Sequence, residues 1–158
     1  KGKLQGGLSQ RDYDDGNGGV TGNTKNWVVS TALLYKPVER TDLTLQLVRK
    51  LEESTFSSNR FYIHQSANLS MTHRFPHKLS FNLGLGAILD KYPESSVVAG
   101  KSSNRRDEIY TQSIGLDYTL QEWVKVGTSY SHRKRSSVFS GLFNYEQHLM
   151  SVFMRLTM

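Results

Sequence analysis

Apolar and small polar residues alternate along most of this chain. From Leu79 to Leu89 every odd-numbered position is apolar, whereas neighbours such as Ser80, Asn82 and Gly84 are small or polar. A period of two predicts a β-strand, because successive side chains on a pleated backbone point to opposite faces. The pattern recurs in eight segments, so we predict an all-β chain of about eight antiparallel strands.

The predicted strands have the length of membrane-crossing strands. They are 3–13, 27–35, 42–51, 60–75, 79–92, 108–120, 124–133 and 145–157. Most contain about the 9–11 residues that a tilted strand needs to cross a bilayer. Apolar spacing typical of a helix is hard to find, and every 18-residue window carries a charge, so a transmembrane helix is not predicted.

The predicted connections alternate in length. Those at 14–26, 52–59, 93–107 and 134–144 are long, and those at 36–41, 76–78 and 121–123 are short; all three prolines (Pro37, Pro76, Pro93) fall in connections. Outer-membrane barrels have short periplasmic turns and longer extracellular loops. The alternation predicts an up-and-down barrel whose first strand starts, and whose eighth strand ends, on the periplasmic side.

In each segment the alternate positions that carry the small and polar residues form a polar phase, and the others form an apolar phase. The composition of the polar phase distinguishes a membrane barrel from a soluble one. The fourth segment shows Tyr62, His64, Ser66, Asn68, Ser70 and Thr72 on that phase. A soluble exterior is about a quarter to a third charged, whereas these groups are mostly small and uncharged. This composition favours a confined wet lumen, and a soluble lipocalin-like ligand-binding barrel is the less favoured alternative.

Aromatic residues bracket several segments on the apolar phase. Trp27 and Tyr35 flank the second segment, and Tyr110 and Tyr118 flank the sixth. Tyr and Trp favour the headgroup level of a bilayer, where the ring is buried and the polar tip is wet. Paired aromatics at this spacing predict the two girdles of an outer-membrane barrel.

Composition narrows the possible functions. The 158 residues suffice for one domain, predicted to span 1–158, and contain no cysteine, which excludes a disulfide framework and a thiolate metal site. The net charge of +6 permits an anionic partner. Without a basic helix or a nucleic-acid-binding module, nucleic acid is not an expected partner.

Four stretches carry a resemblance to a known family. They are GGLSQRDYDD, ALLYKPVERTDLTLQLVRK, RRDEIYTQSIGLDYTLQEWVKVGTSYSHRKRSS and the closing FNYEQHLMSVFMRLTM. The chain resembles the C-terminal half of outer-membrane β-barrel porins that are often encoded beside exopolysaccharide or exosortase loci. The resemblance implies a barrel in the outer membrane of a Gram-negative bacterium and an acidic polysaccharide as a plausible guest.

The alternation assigns residues to a lumen or to lipid. The residues predicted to face the lumen and contact solute are Arg11, Tyr62, His64, Arg74, Asp117, Lys125 and Arg133. The residues predicted to face acyl chains are Leu45, Leu47, Leu83, Leu85, Ile114, Leu116 and Val126. Many cations with few carboxylates would be costly inside a closed eight-stranded barrel, whose interior is filled by side chains. The eight strands are therefore predicted to belong to a larger, water-filled barrel, completed by an N-terminal half or by other chains.

Catalytic, metal and cofactor sites are not predicted. Ser131 and His132 are adjacent and must point to opposite faces of a strand, and His64 could meet Glu146 only in particular registers. The five histidines show no metal-binding spacing. The expected function is passive or secretion-linked passage of anions or polysaccharide through a basic lumen, with lipid and lipopolysaccharide as outer partners. A non-conducting structural or assembly barrel is the alternative.

Overall fold

Eight antiparallel strands form a single sheet in which neighbours in sequence are neighbours in space. The computed structural model describes residues 1–13, 22–55, 59–98 and 101–157. The strands are β1 (Gly2–Tyr13), β2 (Gly22–Val38), β3 (Thr41–Glu53), β4 (Phe61–Arg74), β5 (Leu79–Val98), β6 (Lys101–Gln121), β7 (Val124–Ser137) and β8 (Tyr145–Leu156). A four-residue helix, α1 (Ser140–Phe143), lies between β7 and β8. The predicted all-β, up-and-down arrangement is confirmed.

The strands extend further than the alternation predicts on the side of the long connections. The prediction of a long connection at 93–107 is wrong, because β5 and β6 continue as a paired ribbon until Val98 lies opposite Lys101. The predicted connection at 14–26 is also too long, since β2 already begins at Gly22. Backbone pairing along a hairpin needs no apolar side chains, so Ser- and Asn-rich segments can continue a ladder that hydropathy does not reveal.

Two of the three prolines lie inside strands. Pro37 is in β2 and Pro93 is in β5, and the pairing register shifts at both, between Tyr35 and Val38 and between Lys91 and Ser95. Proline cannot donate to a ladder, and a bulge leaves one residue unpaired. The prediction that these prolines lie in connections is therefore corrected, whereas Pro76 does lie in a turn.

The β4–β5 turn has an uncommon backbone. His77 and Lys78 both have a φ of 65°, in the left-handed region that residues other than glycine rarely adopt. Phe75 N–H donates to Leu79 O at 2.8 Å, which closes a three-residue connection of Pro76, His77 and Lys78. The turn fixes the register that places Arg74 opposite Ser80.

Register sorts the side chains onto two faces. On the face that we call the apolar face, Leu33, Leu45, Leu69 and Leu85 form one row across β2 to β5. On the opposite face, called the polar face, Thr44, Ser70, Gly84, Ser113 and Ser131 form a row across β3 to β7. Leu33, Leu69 and Leu85 are 42–46% exposed. The sheet therefore presents a broad leucine surface that no second layer covers within the described part of the chain.

The sheet is open at β1 and β8. Within the described residues, β1 pairs with β2 and β8 pairs with β7, but β1 and β8 do not pair with each other. Apolar-face residues of these edge strands are among the most exposed, with Leu8 at 86% and Val152 at 81%. This chain supplies a continuous wall that is not closed on itself.

Candidate functional site

The centre of the polar face is lined by short side chains and glycine. Gly84 lies opposite Ser113, and Gly86 lies opposite Asn68 and Thr111. A Cβ added at Gly84 would lie 2.4 Å from Ser113 Oγ, and one added at Gly86 would lie 2.8 Å from Asn68 Oδ1. The small residues therefore let neighbouring polar side chains lie flat across the wall, which keeps this surface smooth.

A hydrogen-bonded chain crosses four strands on the polar face. Thr72 donates from Oγ1 to Asn82 Oδ1 at 3.0 Å, and Asn82 donates from Nδ2 to Asp117 Oδ2 at 3.1 Å. Lys125 Nζ lies 3.1 Å from the same Asp117 oxygen. The structure thus brings the predicted lumen residues Asp117 and Lys125 together as an ion pair.

A second ion pair lies near the short turns. Arg74 Nη2 is 2.5 Å from Asp42 Oδ2, and Lys36 Nζ is 3.0 Å from Asp42 Oδ1. Arg74 is therefore partly neutralised, as Lys125 is. The sequence placed both cations and Asp117 on the polar phase, but which residues pair depends on the register between neighbouring strands.

Arg133 differs from these two cations. Its register neighbours on the polar face are Thr111 and Gln147, which are uncharged. It forms no ion pair with any residue of the described ranges. Of the predicted lumen cations whose side chains the structure describes, Arg133 is thus the one whose charge is least compensated. The side chain of Arg11 lies outside the described residues.

An aromatic and charged cluster occupies the end of the polar face near the long connections. Asp107 is fully buried, and its Oδ2 lies 2.8 Å from Arg105 Nη2 and 2.5 Å from Arg135 Nη2. The Arg105 guanidinium lies 4.7 Å from the Tyr92 ring centroid and 3.7 Å from that of Phe143 in α1. These cation–π contacts hold the short helix against the sheet.

Asp107 and Asp90 face each other in register, and both lie beyond the level of Tyr110 on the side of the long connections. Burial alone would raise the pKa of Asp107, but hydrogen bonds from Arg105, Ser137 and Arg135 hold that pKa below its ordinary value. Burial raises the pKa of Asp90, although its hydrogen bond with His64 opposes the shift. The cluster therefore keeps one carboxylate firmly charged beside another that protonates more readily.

Tyr62 and His64 lie at the edge of this cluster. The Tyr62 ring stacks on Tyr92 with centroids 5.1 Å apart, so one ring face is already covered. His64 Nδ1 lies 2.7 Å from Asp90 Oδ1. His64 therefore does not meet Glu146, which lies on β8, four strands away.

The residues predicted to face lipid share the opposite face of the sheet. The pairs Leu83–Ile114 and Phe81–Leu116 are directly opposed across β5 and β6. Leu45, Leu47, Leu85 and Val126 belong to the same face by register. Their contact with acyl chains stays a prediction. Charged residues of this face lie toward the strand ends that lead to the long connections, at Arg49, Lys91, Arg106, Glu108, Lys134 and Glu146.

The apolar face also holds a group that the sequence analysis missed. His132, Glu146 and His148 each offer one ligand atom, and these atoms lie within 4.8 Å of one another. Their spacing along the chain shows no metal-binding pattern, because it is the β7–β8 register that places His132 opposite His148. The sequence offers only a weaker signal, which is that all three residues fall on the same phase of two consecutive predicted strands.

Comparisons with known proteins agree with the architecture. No curated protein and no solved structure shows significant similarity to the chain. Among the described residues, no helix is long and apolar enough to cross a membrane. The sequence profile of the family described as "Putative beta-barrel porin 2" matches residues 1–158. The chain therefore belongs to this beta-barrel porin family.

Proposed function

We propose that the chain forms part of the wall of an outer-membrane pore through which anionic solutes pass, an acidic polysaccharide among them. The observation that supports this function best is the division of the sheet into a leucine-rich face and a face of small polar groups. The first suits contact with acyl chains, and the second suits a water-filled lumen. Family membership points to the outer membrane as the location.

The positions of charge on the apolar face support this orientation. Arg49, Lys134 and Glu146 lie near the strand ends that lead to the long connections. The Arg49 guanidinium lies 3.9 Å from the Trp27 ring centroid. Charged and aromatic groups together are typical of the boundary between the apolar band and the headgroups. We infer that this boundary is the outer one.

The sequence analysis counts all predicted lumen cations alike, whereas the ion pairs in the structure leave only some of them uncompensated. Arg74 and Lys125 are paired with Asp42 and Asp117, so their fields are largely cancelled at a distance. Arg133, flanked by Thr111 and Gln147, keeps an uncompensated charge on the polar face. We propose that, of Arg74, Lys125 and Arg133, Arg133 contributes most to the attraction for anions in the lumen.

A non-conducting structural barrel is the second candidate. The chain of hydrogen bonds from Thr72 through Asn82 and Asp117 to Lys125 stiffens the wall without reserving those groups for a solute. A barrel that serves as an anchor needs such stiffness and no conductance. A soluble ligand-binding barrel is less well supported, because Leu69 and Leu85 lie on an uncovered face.

The open edges imply further strands. Unpaired backbone groups at a sheet edge cannot remain in the hydrocarbon of a membrane, where no water satisfies them. We propose that the free edges of β1 and β8 pair with additional strands, from the same protein or from other chains, to complete a wider barrel.

Conductance in planar bilayers tests the proposal on the full protein. Arg133→Gln should lower the preference for anions over cations, measured as the reversal potential across a salt gradient. The shift should be larger at low salt, because the screening length is about 30 Å at 0.01 M and about 3 Å at 1 M. Lys134→Gln is the matched control, since it removes the same charge from the adjacent residue on the opposite face.

The outcomes separate the two candidates. An equal shift for both variants would show that Arg133 does not act from inside the lumen. A correctly folded protein that never conducts would leave the structural barrel as the better explanation.

A further inference from the structure

We propose that the outer side of the β7–β8 hairpin holds a binding site for a divalent transition metal ion such as Zn²⁺, with His132, His148 and Glu146 as ligands. His132 and His148 are directly opposed in the β7–β8 ladder, and Glu146 lies two residues before His148 on β8. All three share the apolar face, because residues two apart on a strand point the same way. The site is therefore separate from the polar face on which the proposed pore depends.

The ligand atoms converge on one oxygen. Glu146 Oε1 lies 2.8 Å from His132 Nε2 and 3.8 Å from His148 Nε2. The two imidazole rings are nearly parallel, with centroids 4.7 Å apart and an interplanar angle of 14°. In a tetrahedral zinc site with bonds of about 2.0–2.1 Å, neighbouring ligand atoms are about 3.4 Å apart. Small side-chain rotations would therefore bring the three atoms around one ion.

Tyr130 prepares His148 for this role. Its hydroxyl lies 2.8 Å from His148 Nδ1, the nitrogen that faces away from Glu146. A histidine that ligates through one nitrogen commonly hydrogen-bonds through the other, which fixes the ring and the tautomer. Tyr130 is thus a positioning residue: it holds the ring through Nδ1, and when its hydroxyl accepts from Nδ1–H the Nε2 lone pair is left for a metal.

The donor set selects the class of ion. Two imidazoles and one carboxylate suit zinc and its first-row neighbours, whereas calcium and magnesium prefer sites built from oxygen. Three protein ligands leave the fourth position of a tetrahedral zinc ion open to water or to an outside ligand. Lys134 lies directly opposite Glu146, and its ammonium weakens the attraction for a dication. The site is accordingly expected to bind transition metals and to discriminate against Mg²⁺ and Ca²⁺.

Access to the site is from the outer aqueous side. The β7–β8 ladder ends at the Arg135–Tyr145 pair, only a few residues beyond His132 and His148. Glu146 and His148 have side chains that are 53% and 59% exposed. An ion can therefore reach the site without entering the lumen.

Binding of Co²⁺ and Zn²⁺ to the full protein, folded in detergent micelles, tests the proposal. Co²⁺ should give the visible absorption of a tetrahedral site with nitrogen and oxygen ligands, and Zn²⁺ should displace it at one equivalent per chain. His148→Gln and Glu146→Gln should abolish the absorption, and Mg²⁺ in excess should not compete. His77→Asn is the matched control, because it removes a histidine from an exposed turn and asparagine tolerates the positive φ there.

Tyr130→Phe tests the positioning role separately. It should weaken zinc binding about 10–100-fold while the Co²⁺ spectrum at saturation and the melting temperature stay unchanged. Unchanged affinity would contradict the role assigned to Tyr130. The site itself would be refuted if the wild-type protein bound no Co²⁺, or if His148→Gln and Glu146→Gln bound it as tightly as the wild type. Because these residues lie on the face opposite Arg133, a failure here leaves the selectivity test of the pore unaffected.

Discussion

Leu69 and Ser70 offer a direct test of which face of the sheet contacts lipid. They are consecutive residues of β4 and thus lie at nearly the same depth. Leu69 lies on the apolar face between Leu45 and Leu85, whereas Ser70 lies on the polar face between Thr44 and Gly84. We predict that Leu69→Arg destabilises the folded protein in lipid far more than Ser70→Arg does.

The depth of Leu69 in the apolar band determines how much free energy of folding the arginine should cost. It precedes Arg74, the last residue of β4, by five positions. At a rise of about 3.3 Å per residue, these five positions span about 17 Å along the strand. A tilt of about 40° reduces this to about 13 Å, which is half of an apolar band about 25 Å tall. Arginine near the midplane costs about 2–4 kcal/mol, or about a 30- to 1000-fold smaller equilibrium constant for folding.

Equilibrium unfolding of the full protein in lipid vesicles measures this difference. The fluorescence of Trp27 and Trp123 reports the transition in urea, and the linear extrapolation gives the free energy of unfolding. Ser70→Arg should change that free energy by less than about 1 kcal/mol, because a wet lumen solvates the guanidinium. Equal losses in both variants, or a larger loss for Ser70→Arg, would refute the assignment of the two faces.

Two further predictions concern stability. Gly127→Ala should cost about 1–3 kcal/mol in urea unfolding, because the new Cβ would lie 2.5 Å from Phe153 Cζ and 2.7 Å from Asp117 Oδ1. Gly7→Ala, whose Cβ would meet its nearest atom at an ordinary 3.8 Å, should be far milder, and similar losses would contradict this steric argument. The charged Asp107 carboxylate should stabilise the fold at pH values above its ordinary pKa of 3.8, and this contribution should be lost as the pH falls through its lower folded-state value. The difference in unfolding free energy between the wild type and Asp107→Asn should therefore be constant above about pH 5. It should become smaller when the urea titrations are repeated at lower pH. A difference that does not change with pH would exclude an ionised Asp107 as its source.

The alternation predicted the strands well wherever one side of the sheet is apolar. All eight predicted segments overlap observed strands, because apolar residues that recur at every second position, as in β3 and β5, are typical of a strand with one apolar face. The part of the β5–β6 hairpin near Val98 and Lys101 was not predicted to be strand, because its sequence lacks that alternation. Its ladder is joined instead by backbone pairing and by polar contacts such as the hydrogen bond from Ser95 Oγ to Asn104 Oδ1 at 2.8 Å.

The sequence predicted on which face of its own strand each site residue lies, but not which residues meet between strands. The period of two placed Asp117 and Lys125 on the same face, but their contact depends on the β6–β7 register. Arg105 lies two residues before Asp107 on β6, so periodicity alone places both on one face, whereas Arg135 comes from β7 and reaches Asp107 only through that register. Sequence periodicity gives the face of a residue, whereas the partner across the ladder is set by where each hairpin turns.

The unpaired edges of β1 and β8 have a consequence for how the protein reaches the membrane. An eight-stranded sheet with two free edges would carry two rows of unsatisfied amides into hydrocarbon, at a cost of several kcal/mol per group. For a barrel in the outer membrane, insertion before the edges of β1 and β8 are paired is thus disfavoured, and we expect the pairing of these edges to be coupled to entry into the bilayer. Where the completing strands belong to the same protein, the slowest step of biogenesis should then be the pairing of strands far apart in sequence, because these contacts cost the most chain entropy. Substitutions along the outer edges of β1 and β8 should slow assembly more than they weaken the finished barrel.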